Sequence, residues 1–338
     1  MQLRRTQLSV LFNALYDTDA SPITVRHPAA EVGDLLTIEL GDPTNSIVRF
    51  EKSPHEYREC RSAIDADYGP PAVTELPKPR SFTSAMLAGG LIEPANKADI
   101  DEFLEQNGHP DLSAGHRPVV AGFDTNLLPW RIADVLGLTA GQDAVINGYA
   151  LATGVRDELD WNEKRSDTRA IEAAFGEEFA ALWNQPKGWR REGRLGENYY
   201  RQLRDHRYGD QFDSDIGDEA IIAGYDEYQS ETAKDVLLFS NDRDFVERAV
   251  SHRIRAQRVE FPDDLPRTVN ASWAAIQDTL YVLSVLFGVL VLPKVTLYGV
   301  WKGKEGLAWE REALEVDCRS PKVRERIERD LAIIWTIC

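Results

Sequence analysis

Acidic residues border several apolar runs in the central part of this chain. They are Asp124, Glu158, Asp215, Asp218, Asp242 and Asp244. Asp124 closes an apolar run at 118–123, and Asp242 follows another at 236–239. Because the carboxyl ends of parallel strands meet at one edge of an open α/β sheet, we expect these side chains to converge. Converging carboxylates repel one another unless a cation lies between them, and Mg²⁺ or Mn²⁺ prefers such oxygen ligands.

Each acid taken alone also has a structural explanation. Asp124 begins an AspThrAsn sequence, which is good capping chemistry for a following helix. Asp215, Asp218 and Asp242 stand before predicted helices and invite the same interpretation. Glu158 fits it less well, because its AspGluLeu sequence falls where a helix is already under way. Capping and metal binding therefore remain competing interpretations of the set.

The segment that carries these acids alternates strand and helix patterns, which is typical of an α/β domain with a mostly parallel sheet. The predicted strands lie at 118–123, 145–151, 235–240 and 256–261, and the predicted helices at 168–183 and 218–228. We therefore predict one α/β domain over residues 116–262. Its carboxyl strand ends would carry the acids.

The flanking segments have a different pattern and are predicted to be α+β additions. Residues 1–115 form a predicted N-terminal extension, with helices at 3–16 and 97–106 and a hairpin from 35–40 and 46–50. Residues 263–338 form a predicted C-terminal addition packed on the central domain, with an apolar helix at 273–288, a hairpin from 294–302 and 311–317, and a helix at 321–335. The apolar stretch 273–292 suits either a buried core or a homodimer interface.

Composition limits the class of protein. The chain has 338 residues, 43% of them apolar, and a net charge of −17, which argues against general polyanion binding. This composition is typical of a halophile-like surface, with an ordinary acidic cytosolic protein as the alternative. The few cysteines are Cys60, Cys318 and Cys338, which favours a reducing, cytoplasmic location. The apolar run at 280–292 is too short for a membrane helix, so no membrane partner is expected.

One segment within this acidic chain combines arginine with aromatic residues. Its candidate nucleic-acid contacts are Arg190, Arg191, Arg194, Arg201, Arg204, Tyr199 and Tyr200. Arginine suits phosphate contacts, and aromatic rings suit base stacking. The alternative is a solvated helix face, since neighbouring acids offset part of the charge. The segment lies between Glu158 and Asp218, so we expect it to overhang the acidic edge of the sheet.

The order of the motifs resembles the PIN-domain family of metal-dependent nucleases. The matching pieces are AspThrAsn at 124–126, ArgAspGluLeu at 156–159, AspIleGlyAspGluAlaIleIle at 215–222 and SerAsnAspArgAspPhe at 240–245. The last of these is the most specific, and the resemblance covers about residues 116–262. It implies a three-layer α/β/α fold. The long segment between the second and third motifs and both flanking regions depart from minimal members of the family.

The resemblance also implies an activity and a set of site residues. Asp124, Glu158, Asp218 and Asp242 would be the catalytic acids; Asp124, Asp218, Asp242, Asp215 and Asp244 would bind Mg²⁺ or Mn²⁺; and Asn126 and Ser240 would line the site. The expected activity is hydrolysis of phosphodiester bonds in RNA, with single-stranded RNA favoured and DNA as the alternative. The competing hypotheses are a catalytically inactive scaffold that binds RNA or a protein partner, and another Mg²⁺-dependent phosphate enzyme.

Overall fold

The computed structural model describes residues 1–142, 144–159 and 162–337, with side chains up to residue 333. The chain divides into two compact units. The first unit contains residues 1–92, 162–191 and 263–338, and the second unit contains residues 93–161 and 192–262. The boundary predicted after residue 262 coincides with this division, whereas the boundary predicted after residue 115 needs correction. Residues 93–115 belong with the acidic segment, whereas residues 162–191 belong with the two ends of the chain.

The helices and strands follow one another along the chain from β1 to α14. In order, they are β1 (Gln2–Arg4), α1 (Leu8–Tyr16), β2 (Ile23–Arg26), β3 (Asp34–Asp42), β4 (Asn45–Phe50), α2 (Pro54–Tyr68), α3 (Pro70–Val73), α4 (Pro79–Ala88), α5 (Lys97–Asn107), β5 (Val119–Phe123), α6 (Ile132–Val135), β6 (Gly148–Ala152), α7 (Thr153–Glu158), α8 (Arg169–Phe175), α9 (Arg191–Asp205), β7 (Asp210–Phe212), α10 (Asp218–Thr232), β8 (Asp235–Ser240), α11 (Arg243–Ser251), β9 (Arg255–Arg258), β10 (Thr268–Ala271), α12 (Trp273–Phe287), β11 (Val289–Leu292), β12 (Val295–Tyr298), α13 (Gly306–Glu310), β13 (Ala313–Cys318) and α14 (Pro321–Ile337).

The first unit is built on an eight-stranded sheet with the order β1-β13-β12-β11-β2-β3-β4-β10. Strands β1 and β13 pair antiparallel, with Leu3 opposite Leu314, so the two ends of the chain share one sheet. The predicted N-terminal extension and C-terminal addition are therefore parts of the same unit. The predicted β3–β4 hairpin is confirmed. Residues Leu280 and Phe287 of α12 are buried, which favours the core interpretation of the apolar stretch.

The second unit contains a five-stranded sheet with the order β7-β6-β5-β8-β9. All of its neighbouring strands pair parallel, which confirms the predicted α/β class with a parallel sheet. Strand β8 covers the predicted residues 235–240. The helix predicted at 168–183 is wrong in its length. Helix α8 ends at Phe175, because Gly176 adopts a φ of 111° that interrupts the helix before a separate 3₁₀ turn.

Helices contact both faces of this parallel sheet. On one face, a Cβ added to Gly122 in β5 would lie 2.5 Å from the ring of Tyr225 in α10, so glycine permits this close packing. The next residue, Phe123, faces the opposite side, where it stacks on Phe239 of β8. Phe103 of α5 packs edge-on against Phe239 on that side. The carboxyl ends of β5 and β8 are thereby held side by side.

Candidate acidic site

Asp124 lies directly after β5, beside the carboxyl end of β8. Its backbone N–H donates to the carbonyl of Phe239 at 2.9 Å, which continues the pairing of the two strands. The hydroxyl of Ser240 and the side-chain amide of Asn126 both donate to Oδ2 of Asp124, at 2.5 Å and 2.7 Å. The Asp124 side chain is buried, with the residue only 5% exposed. The structure therefore brings together Asp124 and both of the supporting polar residues predicted from the sequence.

The pKa of Asp124 depends on the charges of two other predicted acids. Burial is the main cause that raises the pKa of Asp124 from 3.8 to about 6. Hydrogen bonds from Ser240 and from the backbone of Thr125 oppose this shift, while the charges of Asp218 and Glu158 add to it. These two carboxylates are thus close enough to act on Asp124. The predicted convergence of Asp124, Glu158 and Asp218 is reflected in this coupling.

Glu158 is the last residue of α7, and its carboxylate is held at both oxygens. The hydroxyl of Thr125 donates to Oε2 at 2.5 Å, and the backbone N–H of Gly217 donates to Oε1 at 2.8 Å. Glu158 therefore connects the turn after β5 with the loop before α10. Thr125 was not among the site residues predicted from the sequence, although its position between Asp124 and Asn126 in the AspThrAsn motif was a usable signal.

The loop before α10 is fixed against the start of α7. The hydroxyl of Thr153 accepts from the backbone N–H of Ser214 at 2.9 Å. A Cβ added to Gly154 would lie 2.2 Å from the carbonyl oxygen of Asp215, so only glycine permits this approach. The close contact fixes the backbone of Asp215, whereas its side chain is exposed. Asp215 thus lies at the rim of the site.

Asp218 opens α10 and pairs with an arginine that was not among the predicted site residues. Nη2 of Arg248, from α11, donates to Oδ2 of Asp218 at 2.5 Å. Both side chains are partly exposed, at 41% and 42%. Asp218 therefore attracts the positive charge of Arg248 and repels the buried carboxylate of Asp124. The sequence signal for Arg248 was its position four residues after Asp244, on the same face of the helix.

Asp242 serves as the N-cap of α11. Its Oδ1 accepts from the backbone N–H of Asp244 at 2.8 Å, and its own N–H donates to the hydroxyl of Ser240 at 2.9 Å. Asp242 and Asp244 are both exposed. The capping interpretation is therefore confirmed for Asp242. It is wrong for Asp124, whose side chain makes no capping hydrogen bond to the short helix that follows.

The donor chemistry of this site suits a hard divalent ion, since its ligands would be carboxylate oxygens. In the part of the chain that the structure describes, however, no three histidine, cysteine or acidic side chains are gathered as a set that could hold a metal ion. Protein donors engage the carboxylates instead: Arg248 at Asp218, Thr125 at Glu158 and Ser240 at Asp124. The acids are coupled electrostatically without forming a coordination shell.

The aromatic residues of α9 do not form the predicted stacking surface. Tyr199 and Tyr200 are 2% and 0% exposed, so neither ring is available to a nucleic-acid base. The hydroxyl of Tyr200 donates to the carbonyl of Leu151 in β6, and that of Tyr199 accepts from the backbone N–H of Asp134. Both tyrosines therefore belong to the core of the second unit. Their prediction as nucleic-acid contacts is wrong.

The arginines of the same segment are largely engaged with protein carboxylates. Arg191 is fully buried in the first unit and pairs with Glu75, so it is wrong as a nucleic-acid contact. Arg194 is 4% exposed and pairs with Glu197, which excludes it for the same reason. The three others are partly exposed: Arg201 pairs with Glu197, Arg204 with Asp205, and Arg190 packs over the ring of Trp189. The segment is mainly structural.

Comparisons with known proteins do not assign a function to this chain. No protein-family model, no curated protein and no solved structure matches this chain. None of the helices in the described residues combines the length and apolar character needed to cross a membrane. Function must therefore be inferred from the acidic site itself.

Proposed function

We propose that the second unit is a Mg²⁺- or Mn²⁺-dependent nuclease that hydrolyses phosphodiester bonds, with single-stranded RNA as the favoured substrate and DNA as the alternative. The observation that carries the proposal is the buried Asp124 at the carboxyl end of β5, whose pKa is raised by burial and by the charges of Asp218 and Glu158. Ligands bind at this edge of open parallel sheets. The PIN-domain resemblance assigns catalysis to the same acids.

The residues of the chain have separable roles in this reaction. Asp124, Asp218 and Asp242 would hold the ion, with Asp215 and Asp244 at the rim. When bound, such an ion lowers the pKa of a water molecule and stabilises charge on the phosphate. Ser240 and Asn126 fix the orientation of the Asp124 carboxylate through their hydrogen bonds to Oδ2.

Glu158 and Asp218 would act from either side of Asp124. The hydrogen bonds from Thr125 and Gly217 hold Glu158 in one orientation, so its carboxylate can orient an attacking water and accept its proton. Asp218 would have to exchange its pair with Arg248 for the ion. That exchange costs little, because an ion pair between partly exposed side chains contributes about 1 kcal/mol or less.

A second candidate is a non-catalytic scaffold that binds RNA or a protein partner. Two observations favour it: Asp242 caps α11, and Glu158 joins two loops through hydrogen bonds. Both acids thus have structural roles that require no metal ion. Under this hypothesis, removing the charge of Asp124 would leave RNA or partner binding unchanged.

Cleavage of labelled single-stranded RNA and DNA separates the two candidates. We would compare wild type, Asp124→Asn and Asp218→Asn in Mn²⁺, in Mg²⁺ and in EDTA, at both low and molar salt. The matched control is Glu227→Gln, which removes an exposed charge from α10 without touching the site. We expect metal-dependent cleavage that falls at least about 100-fold in both site variants and is unchanged in the control.

The other outcomes have distinct meanings. RNA binding without cleavage in either metal would refute the nuclease and leave the scaffold. Equal cleavage by wild type and Asp124→Asn would refute the assignment of the site. Far-ultraviolet circular dichroism and urea unfolding would establish that each variant is folded.

A further inference from the structure

We propose that Arg248 of α11 and Arg258 of β9 form the surface that binds the phosphate backbone of single-stranded RNA beside the acidic site. The choice of ligand rests on the proposed function. The surface replaces the α9 segment, whose residues are mostly buried or paired with neighbouring carboxylates. A chain with a net charge of −17 needs local positive charge where a polyanion approaches.

Arg248 lies immediately beside one of the candidate catalytic acids. Its Nη2 donates to the carboxylate of Asp218, and its Nε donates to the backbone carbonyl of Asp244 at 3.2 Å. The guanidinium is therefore held between the first turn of α10 and the first turn of α11, which Asp242 caps. With 41% of its side chain exposed, Arg248 is accessible to a ligand that occupies this edge.

Arg258 reaches the same edge from the neighbouring strand. It ends β9 in register with Ser240 of β8. Its Nε donates to the carbonyl of Asn241 at 3.3 Å, and its Nη1 donates to Glu260 at 2.7 Å. The N–H of Asn241 in turn donates to Asn126, which bonds the buried carboxylate of the site. A short series of hydrogen bonds thus connects Arg258 to the centre of the site.

The chemistry of these two side chains favours phosphate as the ligand. Each arginine side chain is 41% exposed and pairs with a carboxylate that is also partly exposed. Such pairs are weakly held in water and can be exchanged for another anion. The planar fork of arginine matches the oxygens of a phosphate better than the point charge of lysine does. Two arginines on adjacent elements can therefore contact successive phosphates of a strand.

The position of these arginines distinguishes them from Arg204. That residue pairs with its own neighbour, Asp205, and contacts Gln211 of β7. Strand β7 is the outermost strand on one side of the sheet, and β9 is the outermost strand on the other side. Arg248 and Arg258, which donate to Asp218 and Asn241, lie on the β9 side of the sheet.

Binding of a fluorescein-labelled single-stranded RNA of about 20 nucleotides, measured by anisotropy in Mg²⁺, tests the surface. All variants are made in full-length Asp124→Asn protein, so that cleavage does not interfere. We expect Arg248→Gln and Arg258→Gln each to weaken binding by about tenfold. Each should also reduce the slope of log Kd against log salt by about 0.7, the value for one phosphate contact on a single strand. The matched controls, Arg255→Gln and Arg204→Gln, should change Kd by less than about twofold.

Arg255 is a stringent control because it lies on the same strand as Arg258 and loses the same charge. It is 47% exposed and pairs with Asp235 at the amino end of β8, away from the acidic edge. Arg248→Lys and Arg258→Lys separate the effect of the positive charge from that of the planar guanidinium geometry. Those variants should retain the salt dependence while binding less tightly than arginine, and urea unfolding verifies that each variant is folded.

Several outcomes would overturn the surface. They are no binding by the parent protein, equal effects of Arg258→Gln and Arg255→Gln, or a larger effect of Arg204→Gln. Tighter binding of DNA of the same sequence would overturn RNA as the ligand. Arginine-dependent binding by a wild-type protein that never cleaves would refute the nuclease while supporting the surface. Cleavage that is unchanged by Arg248→Gln and by Arg258→Gln would support the nuclease and refute the surface.

Discussion

Replacing Asp124 with Asn should stabilise the metal-free protein at neutral pH. The pKa of this carboxyl rises from 3.8 to about 6 in the fold, mainly because burial disfavours its charged form. At about 1.4 kcal/mol for each unit of pKa, ionised Asp124 destabilises the native state by about 3 kcal/mol. Asn is nearly isosteric, carries no charge and can still accept the hydrogen bond from Ser240.

The sign of the pH dependence follows from the direction of the shift. Between pH 3.8 and about 6 the native state binds this proton more tightly than the unfolded chain does, so stability falls as pH rises through this window. The gain from Asp124→Asn should therefore be near zero below pH 4, grow towards pH 6 and level off above it. Taking the difference between variant and wild type cancels the titration of other groups.

Urea unfolding in EDTA from pH 4 to pH 8 measures this difference. The control is Asp215→Asn, which removes an exposed charge from the rim and should change the unfolding free energy by no more than about 0.5 kcal/mol at any pH. A gain for Asp124→Asn that does not vary with pH, or a loss of stability at pH 7.5, would refute the reasoning. Either result would mean that Asp124 is charged without penalty in the fold.

Three further substitutions test a hydrogen bond and a close packing contact of the second unit and a buried ion pair of the first unit, each by urea unfolding. Ser240→Ala removes a donor that lowers the pKa of Asp124, so it should cost about 1–3 kcal/mol at pH 7.5 and less at pH 4; an equal cost at both would contradict this. Gly122→Ala places a Cβ 2.5 Å from Tyr225 and should cost about 1–3 kcal/mol, whereas Gly306→Ala, which meets open space, should cost well under 1 kcal/mol. Glu75→Gln leaves buried Arg191 and Arg165 without their carboxylate and should cost about 3–5 kcal/mol, whereas Glu163→Gln at the surface pair with Lys187 should cost much less; similar costs for these two would refute the role of burial.

Local patterns in the sequence were sufficient to predict the parallel sheet that carries the acids. Strand β8 was predicted at its observed bounds because its apolar run is bordered by polar residues. The helix predicted at 168–183 failed because its apolar spacing continues across Gly176, where the backbone turns to a positive φ. Periodicity reports which residues face the core. It does not report a change of backbone direction between them.

Long-range pairing explains why the two ends of the chain were not predicted to share one unit. Leu3 pairs with Leu314 across almost the whole sequence, and no short-range pattern encodes such a contact. The same limit applies to α9. Alternating arginine and tyrosine is equally compatible with a nucleic-acid surface and with a buried helix whose charges are paired. The burial of Tyr200 and Arg194 shows that α9 is a buried helix whose charges are paired.

The position of the arginines matters more than the net charge for binding a polyanion. The charge of −17 belongs to the whole chain, and salt screens it beyond about 10 Å at 0.1 M and about 3 Å at 1 M. Arg248 and Arg258, by contrast, would meet a phosphate at hydrogen-bond distance, where such screening has less effect. Substituting Arg255 or Arg258 changes the net charge equally, yet only Arg258 lies at the acidic edge. A difference in RNA affinity between these two variants would therefore measure placement alone.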